Sequence, residues 1–151
     1  MTQKVKPEWL DRTLTKCAYC YCLRLSEEDY YAELKELEMP VSSWGEFITG
    51  GKTSHATTHA FTTPHGVPVA IVCMNPDREK YNGVQIAALL VHEAVHIWQK
   101  HASYIGAFND HGDEEEAYAI QNIAQNLMEE FVRQTMPEQP KEITLKLEGI
   151  L

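Results

Sequence analysis

Three residues with the chemistry of a metal site lie within five consecutive positions of the chain. His92-Glu93-Ala94-Val95-His96 is an HExxH sequence. On a helix, residues four apart lie one above the other, so the two imidazoles point to the same side. Two neutral imidazole nitrogens at that separation can bind one Zn²⁺ at about 2.0–2.1 Å each. The spacing therefore predicts a Zn²⁺ site with His92 and His96 as ligands.

Glu93 has the position of a proton carrier in such a site. It follows His92 directly, so its carboxylate can reach the open side of the site instead of binding the metal itself. A carboxylate there can take a proton from the attacking water and hand it to the leaving amine. We therefore expect Glu93 to be general base and then general acid in peptide-bond hydrolysis. The alternative is a solvent-facing helical stripe that spells HExxH by chance.

The segment that carries HExxH is the most apolar part of the chain. Residues 84–100 have apolar side chains at helical spacing over most of the circumference, which predicts a helix in the core. Charged side chains are costly in a core unless they are paired or bind a metal. A bound zinc ion would explain why the three ionisable residues of HExxH lie on such a helix.

A catalytic zinc ion needs a third protein ligand beside one open position. His101 and His111 are candidates by residue type, but neither has the HExxHxxGxxH spacing. The acidic run 113–116 opens a second long helix, predicted over residues 113–135 from its apolar periodicity. Its glutamates are the stronger candidates, although acidic residues also stabilise a helix N-terminus through the dipole without binding anything.

Here the sequence resembles the gluzincins, in which a second helix after HExxH bears a glutamate ligand, commonly as E-x-x-A-D or E-x-x-A-N. The matching residues are Glu114-Glu115-Glu116-Ala117-Tyr118, with tyrosine in place of the motif's last residue. The resemblance implies Glu114 as the third zinc ligand. Glu116 is the alternative, because it lies nearer the apolar stripe of the helix.

The wider pattern, VHEAVHIWQ followed by EAYAIQNIAQ, is similar to small zincin-like proteins encoded by phages and prophages, over residues 9–131. The resemblance implies a zincin-like fold, zinc metallopeptidase activity and a peptide or protein substrate. We expect Gln99, Tyr118 and Gln121 to orient the ligands by hydrogen bonds. A structural role in packing is an equally good explanation for the tyrosine at position 118.

The remaining segments predict an α+β fold. Helical spacing indicates N-terminal helices over residues 9–25 and from the Ser26 cap to before Pro40, and a short helical turn over 43–48. Residues 55–63 and 67–74 predict an antiparallel hairpin. In zincins a strand edge beside the catalytic helix holds the substrate in extended form, and either strand could do so here. We expect His55, His59 and His65 to be surface histidines.

Length and composition fit one globular domain over residues 1–151, with 137–151 as a C-terminal tail. The net charge of −9 disfavours nucleic acid as a partner. No apolar stretch approaches the roughly 20 residues that a bilayer requires, so no membrane partner is expected. The N-terminus lacks the apolar part of a secretory signal, which favours a cytoplasmic location. The oligomeric state is left open.

The four cysteines offer a second possible site. Cys17 and Cys20 form a CxxC pair, the pattern of half a zinc site or of a redox pair. Four thiolates would require another close pair, and Cys73 is far from the others in sequence. We expect reduced, partly buried cysteines.

Two rival functions remain beside the metallopeptidase. One is a non-catalytic zinc-binding protein, such as a phage accessory or assembly factor that kept the zincin frame. The intact Glu93 argues against it, because a structural zinc site needs no general base. The other is a metal-free interaction protein whose acidic surface binds a basic partner.

Overall fold

The computed structural model describes residues 4–50, 54–77, 80–106 and 112–136. Within these ranges the chain forms three α-helices and one three-stranded sheet, which confirms the predicted α+β class. The elements are β1 (Cys20–Arg24), α1 (Glu27–Glu36), β2 (Ala56–Thr62), β3 (Pro68–Met74), α2 (Gly83–Tyr104) and α3 (Asp113–Thr135). The predicted tail over 137–151 lies outside the described residues. No helix among those described has the length and apolar character needed to cross a membrane.

The sheet is mixed rather than antiparallel, with strand order β1-β3-β2. β2 and β3 form the predicted antiparallel hairpin, in which Ala56 lies opposite Met74. β1 pairs in parallel with the other edge of β3, with Cys20 opposite Val69. Because β3 is in the middle, β2 is an edge strand in the described part of the chain.

The prediction of a helix over residues 9–25 was wrong. The end of this segment is the strand β1, and the residues before it are irregular, with Leu14 83% exposed. Tyr21, Cys22 and Leu23 are all fully buried, because both faces of the sheet are covered. Such a strand has no alternation of polar and apolar residues, so its periodicity cannot be told from that of a helix.

The start of α1 confirms the prediction made from Ser26. The Ser26 hydroxyl accepts a hydrogen bond from the Asp29 amide at 3.2 Å, and the first turn carries three acidic residues, as the helix dipole favours. The short helical turn expected over 43–48 occurs instead as a 3₁₀ turn at Val41–Ser43.

Two layers of helix enclose the sheet. Side chains on one face, including Leu23 and Val72, pack against α2 and α3. Side chains on the other face, including Ile71, pack against α1 and Phe47. Because α2 contacts β2 whereas α3 contacts β1, the edge strand β2 lies beside the HExxH helix.

α2 begins with a capping box, in which the side chains of Asn82 and Gln85 each accept a hydrogen bond from the other residue's amide at 2.9 Å. The expectation that this helix lies in the core holds for one side only. Leu90 and Ile97 are buried, but Val84 is 80% exposed. α2 covers the sheet with one side and faces solvent with the other. α3 has the predicted bounds.

Candidate metal centre and adjoining cleft

The two histidines of HExxH meet on the exposed side of α2. Their Nε2 atoms are 3.1 Å apart, and their ring centroids are 4.7 Å apart. Two ligand nitrogens bound to one tetrahedral zinc ion at 2.0–2.1 Å are separated by about 3.3 Å. The spacing of His92 and His96 therefore fits two ligands of one zinc ion, and it equally fits a hydrogen bond between the rings.

Gln99 orients one of these rings. Its Oε1 atom lies 3.1 Å from Nδ1 of His96. When Nδ1 donates its proton to that oxygen, the Nε2 lone pair is free to bind a metal. The hydrogen bond predicted for Gln99 is therefore present.

Tyr118 is 61% exposed, which argues against the packing role considered for it, and Gln121 is also exposed.

The third ligand is not assembled with the two histidines. Among the described residues, no group of three His, Cys, Asp or Glu side chains is placed to hold a metal ion. Glu114 is exposed and Glu116 is half-buried. Burial lowers the pKa of His101, and the negative charge of Glu115 partly offsets this, so the first turn of α3 lies near the C-terminal end of α2. His111 lies outside the described residues.

Glu93 is on the opposite side of α2 from solvent. It is only 3% exposed, and its Oε2 atom accepts a hydrogen bond from the hydroxyl of Thr58 on β2. His92 and His96 are exposed. The sequence argument placed all three ionisable residues in the core, whereas only Glu93 is there. Its burial is offset by a hydrogen bond, as a buried polar group requires.

A cleft of about 530 Å³ opens beside this carboxylate, between the start of β2 and the N-terminal half of α2. This volume is within the range of small-ligand sites. Apolar and polar side chains share its lining, among them Ala56, Tyr81, Leu89, His92 and Glu93. The cleft brings the edge strand, one imidazole of HExxH and the buried carboxylate to one place.

His55 also lines the cleft, and sequence reasoning missed it. Its Nδ1 atom is hydrogen bonded to the Tyr81 hydroxyl, and the two rings meet edge-on with centroids 5.0 Å apart. The two residues are far apart in sequence, so no local pattern links them. The other two histidines considered lie elsewhere: His59 stacks on Tyr30 on the opposite face of the sheet, and His65 is exposed.

The cysteines are largely buried, as predicted. Cys17, Cys22 and Cys73 are buried, Cys20 is half-buried, and none of the four forms a disulfide. Burial raises the pKa of the three buried thiols, which opposes the thiolate form that metal binding and redox exchange require.

No protein-family model, curated protein or solved structure matches the chain.

Proposed function

We propose that this protein is a zinc-dependent metallopeptidase with a zincin-like frame. One observation carries the proposal. The HExxH imidazoles present two Nε2 atoms 3.1 Å apart, while the glutamate between them is buried beside a cleft that an edge strand borders. A chance pattern on a solvent-facing stripe would leave the glutamate exposed as well.

His92 and His96 would hold the metal, and the resemblance to gluzincins adds Glu114, or Glu116 as the alternative, as the third ligand. A Zn²⁺ ion there would supply Lewis acidity and lower the pKa of a water molecule. Neither glutamate is grouped with the two histidines in the described part of the chain, so binding of a third ligand requires one of these carboxylates to move toward them.

The residues around the cleft have separate tasks in this mechanism. The outer edge of β2 offers backbone groups to an extended peptide, which pairs with it as an added strand. Glu93 takes a proton from the attacking water through the carboxylate oxygen that Thr58 leaves free, and then passes it to the amine nitrogen. The cleft lining favours an uncharged substrate side chain, because Ala56, Ala88 and Leu89 are part of the wall.

The experiment that tests this function compares metal content and cleavage in matched variants. Protein purified without chelator should contain about one zinc ion per chain, and His96→Ala should lose it. The wild type should cut some peptides of a broad library, whereas Glu93→Gln should keep the zinc and lose the cleavage. Glu114→Ala and Glu116→Ala, measured in parallel, identify the third ligand. Wild-type protein that binds no zinc would refute the proposal.

The second candidate is a non-catalytic zinc-binding protein on the same frame, because only two ligands are brought together in the described ranges. It predicts zinc in the wild type, loss of zinc in His96→Ala, and no cleavage of any library peptide. A cytoplasmic location and a peptide or protein partner are further parts of the proposal.

A further inference from the structure

The contact between Thr58 and Glu93 joins the edge strand to the buried carboxylate. Thr58 lies in the middle of β2, on the face that packs against α2, and is half-buried. Its hydroxyl donates to Oε2 of Glu93, which is almost fully buried. A carboxylate so buried has few possible partners, so this hydrogen bond strongly restricts its orientation.

Threonine at position 58 is suited to restrict the orientation of the Glu93 carboxylate. Threonine is β-branched, so its χ1 angle is restricted, and on a strand paired to its neighbour the hydroxyl is held in a defined direction. The hydrogen bond occupies Oε2 and leaves Oε1 to exchange a proton. It also prevents the carboxylate plane from turning freely about the last side-chain bond, which is otherwise a soft torsion.

We propose that Thr58 is a positioning residue for Glu93, an inference that rests on the proposed peptidase function. Thr58 keeps its own proton throughout and donates it in the hydrogen bond to Oε2. Oε1 of Glu93 takes one proton from water and returns it to the amine nitrogen, so the carboxylate ends the cycle as it began. Thr58 contributes by holding the carboxylate in the direction in which this transfer is efficient.

The location of Thr58 adds a consequence for the substrate. The peptide is expected to pair with the edge of β2, and the same strand aligns the general base. One rigid element thereby sets the distance between the scissile bond and the carboxylate. A second hydroxyl on the same strand, that of Thr57, points to the opposite face, where it accepts a hydrogen bond from the Thr49 amide at 3.0 Å.

The test compares Thr58→Val, which keeps the side-chain shape, with Thr58→Ser, which keeps the hydroxyl. Thr57→Val is the matched control. With the fastest-cut peptide of the library, Thr58→Val should lower kcat by about ten- to a hundredfold with little change in KM, because misplacing a catalytic group has effects of this size. Thr58→Ser should restore most of kcat. Zinc content should be equal in all variants.

A readout without zinc or substrate accompanies the kinetics. In the metal-free protein, the ¹³C shift of the Glu93 side-chain carboxyl carbon should move in Thr58→Val and stay unchanged in Thr57→Val. An unchanged shift in Thr58→Val would overturn the inference, and so would equal kcat values in the two valine variants. A kcat in Thr58→Ser as low as in Thr58→Val would also overturn it, since that would assign the loss to packing.

Glu93→Gln distinguishes a failure of the role inferred for Thr58 from a failure of the proposed peptidase function. If Glu93→Gln is inactive while Thr58→Val retains the full kcat, the peptidase function holds and the role of Thr58 is wrong. If the wild type cuts nothing, or if Glu93→Gln is as active as the wild type, both proposals fail. When both are right, Thr58→Val has no further effect on residual cleavage in the Glu93→Gln background, because the two residues act as one unit.

Discussion

The stability of this protein should fall with falling pH through one histidine outside the candidate metal centre. His101 is buried near the end of α2, and its Nδ1 atom accepts a hydrogen bond from the Ala18 amide at 3.0 Å. Burial lowers the pKa of His101, and the negative charge of Glu115 partly offsets this. In the unfolded chain the same imidazole binds a proton near its ordinary pKa of about 6.5.

The sign of the effect follows from these two pKa values. Between the lowered folded pKa and about 6.5, the unfolded state binds more protons, so the free energy of unfolding rises with pH. The contribution of His101 is complete above about pH 6.5 and is lost as the pH falls toward the folded value. A proton on Nδ1 would face the Ala18 amide and leave that donor without its acceptor, at a cost of about 1–3 kcal/mol.

His101→Gln tests this reasoning, because glutamine can accept the same hydrogen bond without titrating. We expect the fall in unfolding free energy between pH 7.5 and pH 5.0 to be smaller in His101→Gln than in the wild type by up to about 2 kcal/mol, because one proton contributes about 1.4 kcal/mol per pH unit over the roughly 1.5 units below the unfolded pKa. Urea denaturation of the chelator-treated protein measures it, so that metal binding does not contribute. Equal pH dependence in His101→Gln and the wild type would refute the assignment.

Three further predictions concern the core, the metal and the cleft. Arg24→Ala should lower the free energy of unfolding by about 3–5 kcal/mol in urea denaturation, because Arg24 is 2% exposed and is paired with Glu33 at 2.9 Å. The control Lys4→Ala, at an exposed ion pair, should lower the free energy of unfolding by less than about 1 kcal/mol. Zinc at about a hundred times its Kd should stabilise the protein by about 2.7 kcal/mol, seen as a higher Tm that chelator reverses, and an unchanged Tm would contradict the metal site. Tyr81→Phe removes the hydrogen bond to His55 and should cost about 0.5–1.5 kcal/mol in thermal unfolding, whereas an unaltered Tm would show that this hydrogen bond contributes nothing.

Local patterns were sufficient wherever an element is specified by its own residues. The bounds of α3 and the start of α1 at Ser26 were predicted closely, because helix periodicity and capping act within a few positions. The hairpin of β2 and β3 was found because its turn lies between two β-rich segments. The convergence of His92 and His96 also required only a helix, since their separation of four residues places them on one side.

Elements that depend on distant partners could not be predicted in this way. β1 is a strand because it pairs with β3, in which each partner lies 49 residues further along the chain, and both of its faces are covered. Its apolar residues fit a helix equally well until that partner is known. The burial of Glu93 had the same origin, since it depends on which side of α2 meets the sheet.

The sequence by itself therefore determined the α+β class, the two long helices and the pair of imidazoles, because each follows from contacts a few residues apart. Only the tertiary structure decided that Glu93 meets Thr58, and that His55 and Tyr81 form one wall of the cleft. These contacts join residues separated by 35 and 26 positions. Their formation depends on how the sheet and α2 pack together, which no local periodicity specifies.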